Sequence, residues 1–290
     1  MKFTKMHGCG NDYIYINCFE ETIRDPSKMA LRLSDRHYGI GGDGLILIEP
    51  SKAADAYMHM FNRDGSEGMM CGNGIRCTAK YIYDHGLVPA ERENVLIETG
   101  SGLKRIFLYK ESGKVSMAKV DMGAVVSGTA AEVITVAGME LKMTREDVGN
   151  PHAVFFIEDN PCLRVNGYMT TDSIDSLGLF LIGPHIENHE AFQGRVNAEF
   201  AEVISRREVR MRVWERGSGE TMACGTGAVA VAAAGYISGK LDTQVKVHLN
   251  GGDLDISYDP DSGHWFMTGT AEEVFEGTIT GEPHETERPE

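Results

Sequence analysis

The stretch FNRDGSEGMMCGNGI, residues 61–75, returns without a gap as WERGSGETMACGTGA, residues 214–228, at an offset of 153. Six of the fifteen positions are identical: Arg63/Arg216, Glu67/Glu220, Met69/Met222, Cys71/Cys224, Gly72/Gly225 and Gly74/Gly227. The same offset pairs Tyr83 with Tyr236 and Gly86 with Gly239. Upstream, Gly10-Asn11 before YIYI echoes Gly149-Asn150 before HAVFFI at an offset of 139, so the second copy holds about fourteen more residues between its two blocks. Self-similarity at a fixed period marks a repeated structural unit. The chain therefore reads as two related halves.

Most of the remaining pattern is strand. ADAYMHMF, NVLIET, GLKRIFLYK, KVSMAKV, EVRMRVWE, KVHLN and DLDISY are short, mostly alternating, and separated by turn residues. The two clearest helices follow the cysteine turns, from Ile75 to about His85 and from Ala228 to about Ser238, each closed by glycine. The second, AVAVAAAGYI, has no charge, and a helix apolar on every side is a buried one. The expected fold is α+β with two pseudo-symmetric domains, each a mixed, mostly antiparallel sheet or barrel around a buried helix. Residues 1–120 carry Cys71, with a last strand near 272–281 returning to them, and 121–271 carry Cys224, the boundary falling near 118–128. The acidic stretch 282–290 is expected to be disordered.

The chain has 290 residues, 42% of them hydrophobic and 24% charged, and no apolar run long enough for a membrane helix. Its formal charge is −15; the last twenty residues hold seven Glu and one Arg, leaving −9 for the first 270. That balance argues against nucleic acid or an anionic membrane as partner. MKFTKMHGCG has no apolar signal core, and six cysteines in so long a chain are a poor disulfide framework, so a reducing cytoplasmic location is expected.

Each repeat sets a cysteine at a strand-to-helix turn, followed by Gly-x-Gly. Unpaired backbone N–H groups and the helix dipole there stabilise an anion, either a thiolate or a bound carboxylate. A lone cysteine is usually a small buried apolar residue. Two in matched turns argue for chemistry. If the halves face one another, Cys71 and Cys224 flank one cleft, and one thiolate removes a proton from a chiral carbon while the opposite thiol returns one to the other face.

Rival readings fail on context. Gly39-Ile40-Gly41-Gly42-Asp43-Gly44 fits G-x-G-x-x-G, but a strand-like LILIEP follows it where a dinucleotide site needs a helix. No C-x-x-C pair supports zinc or a dithiol, so no metal is expected, although a redox pair of Cys71 and Cys224 stays open. Among polar candidates, Arg216 beside Glu215 ends an apolar strand and offers a two-pronged grip on a carboxylate. Asn11, Asn62, Asn73, Asn150 and Asn197 read as turn residues or ligands, and His152 as a core histidine or a group that poises a thiol.

Taken together, MHGCGNDYIYIN, RHYGIGGDGLILIEPS, FNRDGSEGMMCGNGIRC, GNPHAVFF, IGPHIENH, VNAEF and RMRVWERGSGETMACGTGA resemble the diaminopimelate epimerases over nearly the whole chain. The resemblance implies cofactor-independent interconversion of LL- and meso-2,6-diaminoheptanedioate between two similar domains, in lysine and peptidoglycan-precursor synthesis. It implies Cys71 and Cys224 as the bases, and Gly72, Asn73, Gly225 and Thr226 as the cradle for the reacting carboxylate. Asn62, Asn150, Asn197 and Arg216 match residues for the distal centre, Asn11 a further binding position, and His152 and Glu215 polar neighbours of the thiols. A homodimer is also implied. KMTREDVGNPH is more charged than the family pattern, and Val196 stands where threonine is expected. A related racemase for another amino acid, or a non-catalytic binding or redox protein, are the alternatives.

Overall fold

The computed structural model describes residues 1–129 and 131–280, so the acidic stretch 282–290 lies outside the described residues. In the first half, strands Lys2–Gly8, Asn11–Asn17, Gly44–Glu49, Ala56–Asn62, Asn94–Thr99, Gly102–Glu111 and Lys114–Gly123 lie side by side in chain order. Successive neighbours run antiparallel, parallel, antiparallel, parallel, antiparallel and antiparallel. In the second half, Met139–Asp147, Pro151–Phe156, Asn197–Ser205, Glu208–Glu215, Gln244–Leu249, Gly252–Asp259 and His264–Thr270 repeat that series. The duplication read in the cysteine blocks is thus a duplication of whole sheets, in an α+β protein with two pseudo-symmetric halves.

Two ladders tie the halves together. Lys114–Gly123 pairs antiparallel with His264–Thr270, and Glu272–Thr278 crosses back to pair with Lys2–Gly8. The helices are α1 (Pro26–Leu33), α2 (Gly72–Asp84), α3 (Cys162–Val165), α4 (Leu179–Glu187) and α5 (Gly225–Ile237). The longer second copy spends its extra residues between Pro151–Phe156 and Asn197–Ser205, where it builds α3 and α4.

Helices α2 and α5 are the buried axles of the two halves. α5 is Gly, Ala and Val for most of its length, since a helix surrounded by strands leaves little room for larger side chains. α2 is buried as deeply while carrying polar groups, and each finds partners. Lys80 Nζ bonds Asp84 at 2.7 Å and the Val115 carbonyl at 2.6 Å, Thr78 Oγ1 bonds the Gly74 carbonyl at 3.0 Å, and Arg76 donates to Gly72 and Thr270 carbonyls. Both helices start three residues earlier than the sequence pattern suggests, at Gly72 and Gly225 instead of Ile75 and Ala228. The glycines read as turn residues, but the cysteine ahead of each caps the helix and draws them into its first turn.

Candidate active site

Cys71 and Cys224 are the N-cap residues of α2 and α5, both in extended conformation. Cys71 Sγ accepts from the Gly74 N–H at 3.3 Å, and Cys224 Sγ from the Gly227 N–H at 3.4 Å. The sulfur takes the place of the oxygen that usually satisfies a first-turn donor. The two capped ends meet. A Cβ built on Gly72 would stand 3.6 Å from the Gly225 Cα, and one on Gly225 would stand 3.5 Å from the Gly72 Cα, so the two helix starts lie in contact, with the Met267 side chain packed against both. Asn73 reaches across with Nδ2 to the Ala223 carbonyl at 3.4 Å. All six cysteines are free.

Around Cys71 the partners are neutral. Its thiol donates to Asn11 Oδ1 at 3.3 Å, and the buried Tyr13 hydroxyl also bonds the sulfur. Asn11 is held in this orientation by Asp43, whose Oδ2 accepts from Asn11 Nδ2 at 2.8 Å; Arg36 in turn holds Asp43 at 3.0 Å. Asn73 donates to the same Asn11 oxygen at 3.3 Å and accepts from Arg76 Nη2 at 2.9 Å.

Around Cys224 the partners are titratable. Thr226 Oγ1 lies 3.5 Å from the sulfur, and Glu215 bonds both Cys224 and the Thr221 hydroxyl. Asn150 donates to Thr226 Oγ1 at 3.4 Å and accepts from His152 Nε2 at 3.0 Å, while His152 Nδ1 faces Glu199 Oε1 at 2.7 Å. The His152 and Glu199 side chains are both wholly buried. Burial pushes the Cys71 thiol up, against the helix N–H bonds. Burial pushes Cys224 up much further because the Glu215 and Glu199 carboxylates add negative charge. Burial likewise raises the Glu215 carboxyl. Both thiols are therefore protonated at neutral pH.

The remaining sequence candidates sit at strand ends: Asn62 closes Ala56–Asn62, Asn197 opens Asn197–Ser205 and Arg216 follows Glu208–Glu215. Asn62 Nδ2 bonds Ser66 Oγ within its own turn at 3.0 Å. Asn197 donates to the Pro151 carbonyl at 3.0 Å and accepts from the Arg216 N–H at 2.9 Å, which fixes the backbone of the Glu215-Arg216 pair. The Arg216 guanidinium is exposed and touches the Gly194 carbonyl at 3.4 Å. Sequence reasoning missed Tyr13, Asp43, Arg76 and Glu199. Carrying the offset of 139 back from His152 lands on Tyr13, and a glutamate set between Ala198 and Phe200 in a strand-like run was a signal for Glu199. Among the described residues the one trio of metal-type side chains is His85, Glu273 and Glu276, beside the far end of α2. A surface groove of about 710 Å³ lined by Phe107, Tyr258 and Phe266 has no thiol in its wall.

The chain matches the family model described as diaminopimelate epimerase over residues 3–127 and 145–274. It is 48% identical to a diaminopimelate epimerase of Agathobacter rectalis, the alignment covering 96% of this chain and 99% of that one. To the diaminopimelate epimerase of Acetivibrio thermocellus it is 46% identical, over 96% and 98% of the two chains. Among solved structures, a probable proline racemase from Agrobacterium radiobacter superposes with a TM-score of 0.72 at 14% identity, over 98% of this chain and 94% of that one, a likeness of fold. With near-complete coverage and this identity, the chain belongs to the diaminopimelate epimerase family.

Proposed function

We propose that the protein interconverts LL- and meso-2,6-diaminoheptanedioate by moving a proton at one α-carbon, with Cys71 and Cys224 as the two bases. The observation that carries the reading is the meeting of two cysteine-capped helix ends at Gly72 and Gly225. Two helix N-termini side by side favour an anion such as a carboxylate, and a cysteine caps each of them.

Proton accounting is simple. One cysteine acts as thiolate and takes the α-proton; the opposite thiol gives its own proton to the other face, leaving the two sulfurs with exchanged protonation states. The negative charge that develops on the reacting carboxylate is held by the helix N–H groups of Gly72, Asn73, Gly225 and Thr226. A thiolate must first be made, and the neighbours differ in what they can accept. Cys224 has Glu215 beside it and the His152–Glu199 pair behind Asn150, groups able to take up a proton. The Asn11 oxygen beside Cys71 accepts a hydrogen bond but is too weak a base to take up the proton. Arg216, with Asn62, Asn150 and Asn197, recognises the distal amino-acid end of the substrate.

The halves divide near residue 120, with Glu272–Thr278 completing the first. A homodimer and a cytoplasmic location, in lysine and peptidoglycan-precursor synthesis, accompany this reading; no helix among the described residues is long and apolar enough to cross a membrane.

The test is NMR of LL- and meso-diaminopimelate in D₂O with reduced protein and no added cofactor. Isomer conversion with deuterium entering the α-position is expected. A folded protein with titratable thiols that neither exchanges nor converts either isomer rejects this substrate, and other amino acids come next.

A further inference from the structure

Behind the Cys224 side of the site lies a carboxyl group for which the proton-transfer scheme has no use. Glu146, on strand Met139–Asp147, is 2% exposed and is the direct partner of His152 across the antiparallel ladder. Residues so opposed carry their side chains on one face of the sheet, with Cβ atoms about 4.5–5.5 Å apart. Its Oε2 accepts from Ser127 Oγ at 2.6 Å, while Oε1 is buried with no hydrogen-bond partner. In the first half the corresponding ladder sets Met6 opposite Tyr13, and Met6 is wholly buried. The architecture therefore accepts an apolar side chain at this place. An orphaned buried carboxylate oxygen is destabilising, so its presence needs a reason other than packing.

We propose that Glu146 is a positioning residue for proton transfer at Cys224: its carboxylate charge, set against the His152 ring, tunes the buried His152–Glu199 pair and so sets one limb of the enzyme's pH profile. The inference rests on the epimerase reading. An anionic carboxylate opposite the ring stabilises positive charge on it, and a cationic ring, linked to Cys224 through Asn150 and Thr226, favours the thiolate. The neutral acid withdraws that support. Burial lifts the Glu146 carboxyl to about 7, with Ser127 and His152 pulling the other way, so the change of charge falls within the working range of a cytoplasmic enzyme. The titratable group that faces it is His152, with Glu199 beyond. Ser127 on the other flanking strand is uncharged, α5 carries no charged side chain, and Arg145 is engaged by Glu132.

The experiment compares kcat/KM for epimerisation between pH 5.5 and 9 in the wild type, Glu146→Gln and Glu146→Met, the last copying the first half. The expected result is a wild-type limb that rises through about pH 7 and is missing from both variants. Above pH 8 the variants fall about tenfold in kcat with KM little changed, the effect of one unit of coupling between the two groups. Variants that keep the wild-type limb overturn the proposal while leaving the epimerase reading intact. A wild type silent at every pH defeats the epimerase reading, and the proposal falls with it. If neither variant folds, ¹³C NMR of the wild-type carboxyl decides: a midpoint matching the kinetic limb supports the role, and one below pH 5 overturns it.

Discussion

Ile46 and Glu199 occupy the same place in the two halves, each wedged under the third residue of a buried helix. A Cβ on Gly74 would stand 2.7 Å from Ile46 Cδ1, and one on Gly227 would stand 2.8 Å from Glu199 Oε1. The offset of 153 links the two residues, and it also links Asn62 with Glu215, as the offset of 139 links Tyr13 with His152. In every pair the first-half member is an uncharged side chain, and the second-half member is an acid or an imidazole. Duplication supplied two equal cradles, and substitution beneath them made one of the two thiols the neighbour of proton acceptors.

Replacing Glu199 by Gln keeps the shape but removes the carboxylate from His152 Nδ1. Epimerisation is expected to fall by about 10²-fold or more, the scale of a general acid–base group. Stability should drop by about 1–3 kcal/mol, the cost of a mispaired buried polar group. Glu199→Ile, which copies the other half, should lose activity equally. Urea titration beside the D₂O exchange assay separates the two effects, and an active Glu199→Ile enzyme would show that the carboxylate is idle.

Cys71→Ser and Cys224→Ser should each abolish stereoinversion, since a serine hydroxyl is too weak an acid and base at this position to replace a thiol. Because each sulfur also caps its helix, folding must be checked by circular dichroism before rates are compared. Either variant turning over at near the wild-type rate would refute a two-base route.

Asp43 governs a rotamer, and the test follows from that. Without it the Asn11 amide is free to turn its NH₂ toward the Cys71 sulfur, where it now presents oxygen. Asp43→Ala is expected to slow epimerisation by about 10- to 100-fold, the equivalent of one charge-assisted hydrogen bond. It should also shift the Cys71 thiolate absorbance titration, read in a Cys224→Ser background. An unmoved titration would assign the Asp43 bond to loop structure alone.

Stability should depend on pH through Glu146. Its carboxyl is raised by burial from the ordinary value of 4.5 to about 7, so between those values the folded chain holds a proton that the unfolded chain has lost. The unfolded state binds fewer protons there, and stability falls as pH rises from about 4.5 through 7, by a total on the order of 2–3 kcal/mol. Glu146→Gln should flatten that slope. Melting temperatures at half-unit steps will show it, and a wild-type slope of opposite sign in this window would contradict the burial of the ionised group.

The repeat made much of the fold readable, because whatever one half showed could be checked in the other. NVLIET, rich in β-branched residues and bounded by turns, is the strand Asn94–Thr99 to the residue. Helix α4 escaped notice because LFLIGPHIE carries Gly183 and Pro184 inside it. Pro184 fits only because helices here are held by packing, with Gly183 laid so close to Trp214 that a Cβ would stand 2.4 Å from the ring. Parallel pairing of Asn11–Asn17 with Gly44–Glu49 has no local signature, since its partner strand lies beyond a helix. At the site the thiols and their glycines were legible from spacing. Tyr13 and Glu199 were not, because strands buried on both faces lose the alternation that would tell an inward side chain from an outward one.

The pairing of Lys2–Gly8 with Glu272–Thr278 has a consequence for biosynthesis. Contacts between residues some 270 positions apart, such as Lys2 with Thr278, close a loop that takes in nearly all of the described residues. On the ribosome the first half is a sheet with an open edge for as long as the second half is being made. That edge is a template for pairing with other chains, and it is covered only when residues 272–278 have emerged. A nascent chain that ends just after the second cysteine helix, Gly225–Ile237, still lacks the strand that covers this edge.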